Sequence, residues 1–263
     1  MTETDEIRRE RHGAVEWVIF NRPHALNAMT NAMEDRLIAI FREANEDPTV
    51  KAMVITGAKG ERASFMAGQD FSCLQNVHTT DDFLALEQRG EEVIEALENV
   101  RVPTLAAMAG ACVGGGALIA AACDVRIAAP SVRFGFPIAR TAGNCLALKC
   151  YVRLVALLGF AATKEMIFSA RLIGAPALLA AAAVREVVAE DELLVRAQAI
   201  AEELTTLAPL TLWATKQAMH RLRDHWIPAG GDTDLLATCY ASHDFQEGVS
   251  AFLEKRKPVW TGR

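Results

Sequence analysis

The chain has 263 residues, of which 51% are hydrophobic and 23% are charged, and its formal net charge at pH 7 is -6. This composition is typical of a globular domain and excludes an intrinsically disordered chain. The acidic balance argues against a nucleic-acid partner, because a general nucleic-acid binder needs a basic face. A polyanionic small ligand is compatible with it, since such a ligand needs only a few local cations.

The cysteines and the apolar stretches indicate the compartment. The six cysteines form no CxxC pair and have no zinc-like spacing with histidine, so we predict no metal site. Most lie in apolar runs, which predicts buried free thiols and a cytoplasmic location. The charged segment 1–12 lacks the apolar core of a secretory signal. Because it is rich in alanine and glycine, we interpret the apolar stretch 105–122 as a buried strand–turn–helix and not as a membrane span.

Predicted strands alternate with predicted helices in the first half of the chain. Clusters of β-branched and aliphatic residues predict strands at 15–20, 51–56, 104–108 and 124–128. A helix capped by Asn31 and Glu34 is expected to end at Asp47-Pro48, and a second helix covers 81–98. Strands that alternate with helices predict right-handed βαβ units on a mostly parallel sheet.

Helices dominate after residue 141, except for a strand predicted at 184–188. Further helices are expected at 190–207, 210–224 and 242–255, and Gly230-Gly231 marks a loop between the last two. We therefore divide the chain into a core, 1–192, and a helical C-terminal region, 193–263, which we interpret as an oligomerisation region.

Two glycine-containing turns carry the candidate chemistry. In the segment 64–70 (SFMAGQD), the glycine lets the chain turn so that a backbone N–H can project into a pocket, although such a segment is usually only a turn. In the segment 109–118 (AGACVGGGAL), three consecutive glycines place unpaired N–H groups at a helix N-terminus, where a developing oxyanion is favoured. Tight packing of the helix on the strand is the alternative explanation.

Four segments, in chain order, resemble the crotonase (enoyl-CoA hydratase/isomerase) superfamily. They are 21–29 (NRPHALNAM), 55–70 (from ITG to FMAGQD), 103–124 (from PTLAAMAG to CD) and 245–256 (from FQEG to FLEKR). The resemblance implies an α/β fold, a crotonase-like ββα spiral with two roughly perpendicular sheets and C-terminal trimerisation helices. It also implies a homotrimer or a dimer of trimers.

The resemblance further implies an acyl-coenzyme A thioester as the substrate and no separate cofactor. The N–H groups of Gln69 and Gly115 would form an oxyanion hole for the thioester carbonyl, and each would contribute about 3 kcal/mol in the transition state. The residues that would line the substrate are His24, Ala25, Leu26, Ala67, Gly68, Asp70, Gly114, Leu118, Pro137, Ile138 and Lys255. Asp70 is also expected to accept hydrogen bonds in its own turn, and Lys255 is equally explained as a solvated helix end.

The chain departs from the family pattern at the acid–base positions. Hydratases of this family use two glutamates to position water and to move a proton, and here Leu118 and Ile138 occupy their places. Neither side chain can take up a proton, so hydration by the usual route is not expected. Arg140 and Asn144 are polar candidates for the acyl pocket, although capping of a helix explains this region as well. His78, in a polar loop, is expected to be simply exposed.

The sequence therefore predicts an acyl-CoA-processing enzyme of the hydratase/isomerase class that stabilises a thioester enolate. A non-catalytic acyl-CoA-binding homologue is one alternative. An acyl-CoA thioesterase or decarboxylase is another, because these reactions need an oxyanion hole without the glutamate pair. The acyl chain and the exact reaction stay open at this point.

Overall fold

The computed structural model describes residues 5–74, 79–229 and 231–263. It begins with a strand hairpin and a helix: β1 (Ile7–His12), β2 (Val15–Phe20) and α1 (Asn31–Glu46). The N-terminal cap of α1 is Thr30, whose hydroxyl oxygen accepts a hydrogen bond from the Met33 N–H at 3.2 Å. The cap predicted at Asn31 was therefore one residue too late, because Thr30 keeps the extended backbone that a cap requires.

Three ββα repeats follow. They are β3 (Ala52–Gly57), β4 (Ser64–Met66) and α2 (Thr80–Glu98); β5 (Thr104–Met108), β6 (Ala111–Val113) and α3 (Gly115–Ala122); and β7 (Val125–Ala128), β8 (Arg133–Gly135) and α4 (Leu148–Leu158). In each repeat the first strand joins one sheet and the second strand joins another. The predicted α/β fold, with a ββα spiral that builds two sheets, is thus confirmed.

The rest of the chain is mainly helical. Its elements are α5 (Phe160–Ser169), β9 (Ile173–Gly174), α6 (Ala175–Ala180), β10 (Glu186–Val187), α7 (Leu193–Thr205), α8 (Pro209–Asp224), α9 (Thr233–Tyr240) and α10 (His243–Leu253). The larger sheet has the order β1-β2-β3-β5-β7-β10, and the smaller sheet has the order β4-β6-β8-β9. Both are parallel except for the pairs β1-β2 and β8-β9. Within the described residues, no helix is both long and apolar enough to span a bilayer.

Both faces of the larger sheet are buried. On β2, Val18 and Phe20 face the main core between the sheets, whereas Trp17 and Ile19 face a second core that α7 closes. The indole N–H of Trp17 donates to the side-chain oxygen of Gln198 on α7 at 2.7 Å. The first helix of the region 193–263 is therefore packed on the sheet, and the oligomerisation role of this region stays a prediction.

A third, smaller core joins the C-terminal helices to α2. The rings of Phe83, Tyr240 and Phe245 lie 4.8–5.0 Å apart between centroids, and all three are buried. These contacts place α9 and α10 over one end of the spiral. The same end carries the two glycine turns.

Candidate functional site

The two glycine turns lie against each other. They follow β4 and β6, which are adjacent parallel strands of the smaller sheet. Gly68 has φ +95° and Gly114 has φ +56°, both in the left-handed region that favours glycine. A Cβ on Gly114 would lie 3.4 Å from the Cα of Gly68, and one on Gly68 would lie 3.3 Å from the carbonyl oxygen of Val113. The close approach of the two turns therefore depends on both glycines.

Gln69 and Gly115 directly follow these glycines, and both line one cavity. Gly115 is the first residue of α3, so its N–H has no acceptor within the helix. On either side of Gln69, the Gly68 carbonyl and the Asp70 N–H are bonded to Met29, both at 2.8 Å, which leaves the Gln69 N–H on the opposite side of the chain. Neither N–H donates to another group in the described part of the protein. Two such donors on abutting turns suit an oxyanion.

The three consecutive glycines have different roles. Gly114 supplies the left-handed turn. A Cβ on Gly115 would meet nothing within 4 Å, so this position leaves open space beside its N–H. A Cβ on Gly116 would lie 2.5 Å from the carbonyl oxygen of Met66, so this glycine lets α3 pack directly on β4. The packing explanation of the triplet therefore applies to Gly116 and does not account for Gly115.

The cavity has a volume of about 290 Å³. It is lined mainly by apolar side chains from α2, α3, the loop after β8 and the last C-terminal helix: Leu86, Leu118, Phe136, Pro137, Ile138, Leu146, Phe245 and Phe252. Small-molecule sites usually measure about 300–1,000 Å³, so this cavity suits a small apolar group. Leu118 and Ile138, the residues at the expected glutamate positions, both belong to its wall.

Several of the predicted substrate residues line this cavity. They are Ala67, Gly68, Gly114, Leu118, Pro137, Ile138 and the polar candidate Asn144. Arg140 is exposed and is absent from the cavity wall, since its turn directs the side chain to solvent. His78 lies outside the described residues.

Other predicted substrate residues lie away from the cavity wall. His24 and Ala25 form a single 3-10 turn, and the carbonyl oxygen of Leu26 accepts a hydrogen bond from the Ala67 N–H at 3.1 Å. This bond holds the turn beside the first glycine turn. Lys255 follows α10 and is exposed, with φ +55°. Their contacts with a substrate stay predictions.

Asp70 is a structural acceptor, as its turn predicted. Its carboxylate accepts hydrogen bonds from the Ser72 N–H at 3.1 Å and hydroxyl at 2.7 Å, and from an Arg22 guanidinium nitrogen at 3.0 Å. Burial opposes ionisation, but the bonds from Ser72 and Arg22 hold the pKa of Asp70 below its ordinary value. A proton acceptor for catalysis is better sought elsewhere.

Three glutamates that the sequence interpretation missed line the cavity, namely Glu34 on α1 and Glu87 and Glu91 on α2. Glu87 and Glu91 lie four and eight residues after the buried Phe83, so both share its side of the helix. Helical spacing therefore indicates the side of α2 on which they lie, but not that this side lines the cavity. The same reasoning does not find Glu34. It lies beside Met33 on the buried side of α1, and the apolar residues of that side predict packing of the helix and not a site.

A hydrogen-bonded pair from distant segments joins one of these carboxylates. The phenol of Tyr240, on α9, donates to Glu87 and accepts a bond from the amide nitrogen of Asn144 at 3.0 Å. The amide oxygen of Asn144 is buried and has no partner among residues 5–74, 79–229 and 231–263. Leaving such an atom unpaired costs roughly 1–3 kcal/mol. Within the same residues, no group of three or more potential ligands could hold a metal ion.

Nearly the whole chain matches a known protein family. The family model described as enoyl-CoA hydratase/isomerase matches residues 10–263. A short-chain-enoyl-CoA hydratase of Clostridium acetobutylicum is 34% identical over 259 residues, which cover 97% of each chain. A crotonyl-CoA hydratase of Syntrophomonas wolfei is 33% identical over 260 residues, or 96% of each chain.

Solved structures of similar proteins extend over the same length. A methylmalonyl-CoA decarboxylase in complex with 2-nitronate-propionyl-CoA superposes with a TM-score of 0.89 at 25% identity, covering 99% of this chain and 100% of that one. An enoyl-CoA hydratase/carnithine racemase from Magnetospirillum magneticum superposes with a TM-score of 0.79 at 28% identity, covering 99% and 97%. Both likenesses include the two glycine turns and the C-terminal helices.

Proposed function

Because the chain belongs to the enoyl-CoA hydratase/isomerase family, we propose that it binds an acyl-CoA thioester and stabilises the enolate of that thioester. The coenzyme A is part of the substrate, and we expect no separate cofactor. The observation that carries the proposal is the pair of unpaired N–H groups, at Gln69 and Gly115, on abutting turns that open into one cavity.

The chemistry follows from where negative charge develops. When a bond at the carbon beside the thioester breaks, its electron pair is shared with the thioester oxygen. Two N–H donors aimed at that oxygen lower the energy of the charged state, each by about 3 kcal/mol in the transition state. One of them lies at the start of α3, where the helix adds a partial positive charge.

The cavity wall limits the acyl group and the reaction. A volume of about 290 Å³ and mainly apolar walls favour a short acyl chain. Leu118 and Ile138 argue against hydration by a pair of glutamates at those positions, since neither can exchange a proton. The proposal is therefore a short-chain acyl-CoA enzyme whose acid–base group differs from that pair.

Solvent-deuterium exchange at the carbon beside the thioester tests the proposal without requiring the natural reaction. A saturated short-chain acyl-CoA should bind in a calorimetric titration and incorporate deuterium at this carbon. Gly115→Pro removes the N–H donor at the first helical position, where proline is well tolerated. It should slow exchange on the order of 100-fold more than Gly115→Ala, which keeps the donor. Absence of both binding and exchange in the wild-type protein would overturn the proposal.

Decarboxylation is a second candidate, and it is favoured by the likeness to the methylmalonyl-CoA decarboxylase structure. Loss of carbon dioxide from a carboxylate beside the thioester also leaves an enolate, and it needs no proton acceptor. Release of carbon dioxide from a malonyl-type thioester, without exchange into a saturated one, would favour this reaction. Binding of both thioesters without any reaction would indicate a non-catalytic homologue.

A further inference from the structure

The three glutamates of the cavity differ in whether a cation neutralises them. Glu34 accepts a hydrogen bond from the Arg89 guanidinium at 2.6 Å. Glu91 is held by both terminal nitrogens of Arg153, at 2.6 and 2.7 Å, and Lys149 lies 3.4 Å from it. Glu87 has no cation within 4.0 Å among the described residues, and its partner is the neutral phenol of Tyr240.

We propose that Glu87 is the catalytic residue that takes a proton from, and returns it to, the acyl group of the bound thioester. This inference rests on the function proposed above and assigns the proton-transfer group that the function requires. A carboxylate fixed in an ion pair is a weak proton acceptor, because the cation stabilises its charged form. Of the three cavity glutamates, Glu87 is the one that can exchange a proton without breaking an ion pair.

The surroundings of Glu87 leave room for a substrate. Leu86, Gly90 and Glu91 line the cavity with it, so this side of α2 forms one wall. Gly90 lies about one turn further along, and a Cβ there would meet nothing within 4 Å. Glycine in the middle of a helix is less favourable than alanine by about 1 kcal/mol. The open space beside Glu87 is therefore present although an alanine at position 90 would make the helix more stable.

Tyr240 and Asn144 are positioning residues for this carboxylate. The phenol of Tyr240 donates to Glu87 and is itself held by the amide nitrogen of Asn144 at 3.0 Å. The Tyr240 ring is buried and stacks on Phe83, which lies one turn before Glu87 on the same helix. The phenol that holds the carboxylate is therefore itself held, by the bond from Asn144 and by stacking on Phe83, which suits a positioned proton-transfer group. Asn144 belongs to the wall of the same cavity.

The proton transfer balances with one carboxylate and no further reagent. The Glu87 carboxylate takes a proton from the carbon beside the thioester, the C–H bond breaks, and its electron pair enters the enolate held by the two N–H groups. Glu87, now a carboxylic acid, then returns the proton. If the Glu87 carboxylic acid first exchanges its proton with solvent, return to the same carbon places solvent hydrogen there, and return two carbons further along an unsaturated chain moves the double bond. Either outcome is redox-neutral and explains how the site acts with Leu118 and Ile138 in its wall.

The electrostatic setting agrees with this role. Burial raises the pKa of Glu87, the bond from Tyr240 opposes this, and the negative charges of Asp232 and Glu91 raise it further. A raised pKa makes a carboxylate a better proton acceptor and, once protonated, a donor at neutral pH. The ionised base predominates above this raised pKa, so the exchange rate should rise with pH through it.

Two substitutions test the proposal, with acyl-CoA binding and solvent-deuterium exchange as the measurements. Glu87→Gln keeps the shape of the side chain and removes its proton affinity, so it should retain binding and lower exchange on the order of 100-fold or more. Glu92→Gln is the matched control, because Glu92 is an exposed glutamate of α2 that lies outside the cavity. It should leave binding and exchange unchanged.

Tyr240→Phe supplies an independent readout. It removes a donor that stabilises the ionised form of Glu87, so the midpoint of the pH–rate profile should move to higher pH, which a structural role of the phenol would not cause. Exchange that is unaffected in Glu87→Gln would overturn the assignment of Glu87 and leave the proposed function standing. If Glu87→Gln does not fold, an unshifted midpoint in Tyr240→Phe overturns the assignment. A wild-type protein that binds the thioester without exchange would overturn the assignment of Glu87 alone, and one that neither binds nor exchanges would overturn both proposals.

Discussion

At the residue scale, the glycines 114–116 show how adjacent identical residues meet different constraints. Gly114 is required by its left-handed backbone and Gly116 by contact with Met66, whereas a Cβ on Gly115 would meet nothing in the described part of the protein and would be limited only by a bound substrate. Only the constraint on Gly116 concerns packing of α3 against the sheet. Stability and binding should therefore respond to different members of the triplet.

Alanine substitutions at Gly115 and Gly116 test this separation. Gly116→Ala places a Cβ 2.5 Å from a backbone oxygen, so α3 or β4 must shift, and we expect a loss of about 1–3 kcal/mol in the free energy of unfolding. Gly115→Ala meets no neighbour and should not destabilise the fold, but its methyl group should weaken acyl-CoA binding. Urea denaturation and calorimetric titration measure the two effects. Equal stability of both variants would contradict the argument.

Sequence could predict the backbone part of the candidate site but not its carboxylates. The turns at Gly68 and Gly114 are local features, recognisable from glycine and from motif order. The bond between Tyr240 and Glu87 joins residues 153 positions apart, and no periodicity along the chain relates them. The sequence alone shows that Leu118 and Ile138 stand in place of the expected glutamates. The carboxylate that faces them from α2 could be identified only from the tertiary structure.

At the element scale, a buried charge network ties α2 to α4 and α8. The carboxylate of Glu98 accepts hydrogen bonds from Arg153 at 3.0 Å and from Arg223 at 3.0 Å. Burial opposes ionisation of this group, but the bonds from Arg153 and Arg223 lower the pKa of Glu98 from 4.5 to about 2. The network therefore stabilises the folded state only while Glu98 is ionised.

This shift predicts the acid stability of the fold. Because the folded pKa is depressed, the contribution of Glu98 is complete above its unfolded value near 4.5 and is lost as pH falls towards about 2. Glu98→Gln should cost roughly 3 kcal/mol at neutral pH, since it leaves buried guanidinium charge uncompensated. In this variant, the free energy of unfolding should also fall less steeply between pH 4.5 and about 2 than it does in the wild type. Unfolding curves for the variant that match the wild type at both pH values would refute the role of the network.

The elements themselves were predictable in proportion to their length. The strands at 15–20, 51–56, 104–108 and 124–128 were found because their apolar runs are continuous. The three-residue strands β4, β6 and β8 were missed, because three residues show no period and the partner strands define them. β1 was missed because it is an edge strand rich in charge, whose Arg11 pairs with Glu16 on β2 at 3.2 Å.

At the scale of the whole molecule, α8 is incompletely covered by its own chain. Its exposed apolar residues are Leu210, Trp213, Met219 and Leu222, with Leu222 63% exposed, and the exposed Trp226 follows two residues after its end. The buried residue of this helix is Lys216, whose ammonium group is held by Asp124 and by the Val100 carbonyl, both at 2.9 Å. A helix with so little buried apolar surface gains little stability from its own chain, and an exposed apolar face is typical of an interaction surface.

We therefore expect this face to associate with further copies of the chain, in a homotrimer or a dimer of trimers. Leu222→Glu places a charge on the face and should shift the mass measured by sedimentation towards that of one chain. Ala85→Glu adds the same charge at an exposed position of α2 and serves as the control. A wild-type protein that sediments as a monomer at all concentrations would contradict the prediction.

The most direct test of the oxyanion hole is the infrared stretching frequency of an isotope-labelled thioester carbonyl in a bound acyl-CoA. Hydrogen bonds from Gln69 and Gly115 would weaken this carbonyl bond. We predict a shift to lower frequency on binding to the wild-type protein, and a smaller shift on binding to Gly115→Pro. A bound thioester whose carbonyl absorbs as it does in water, in both proteins, would contradict the account.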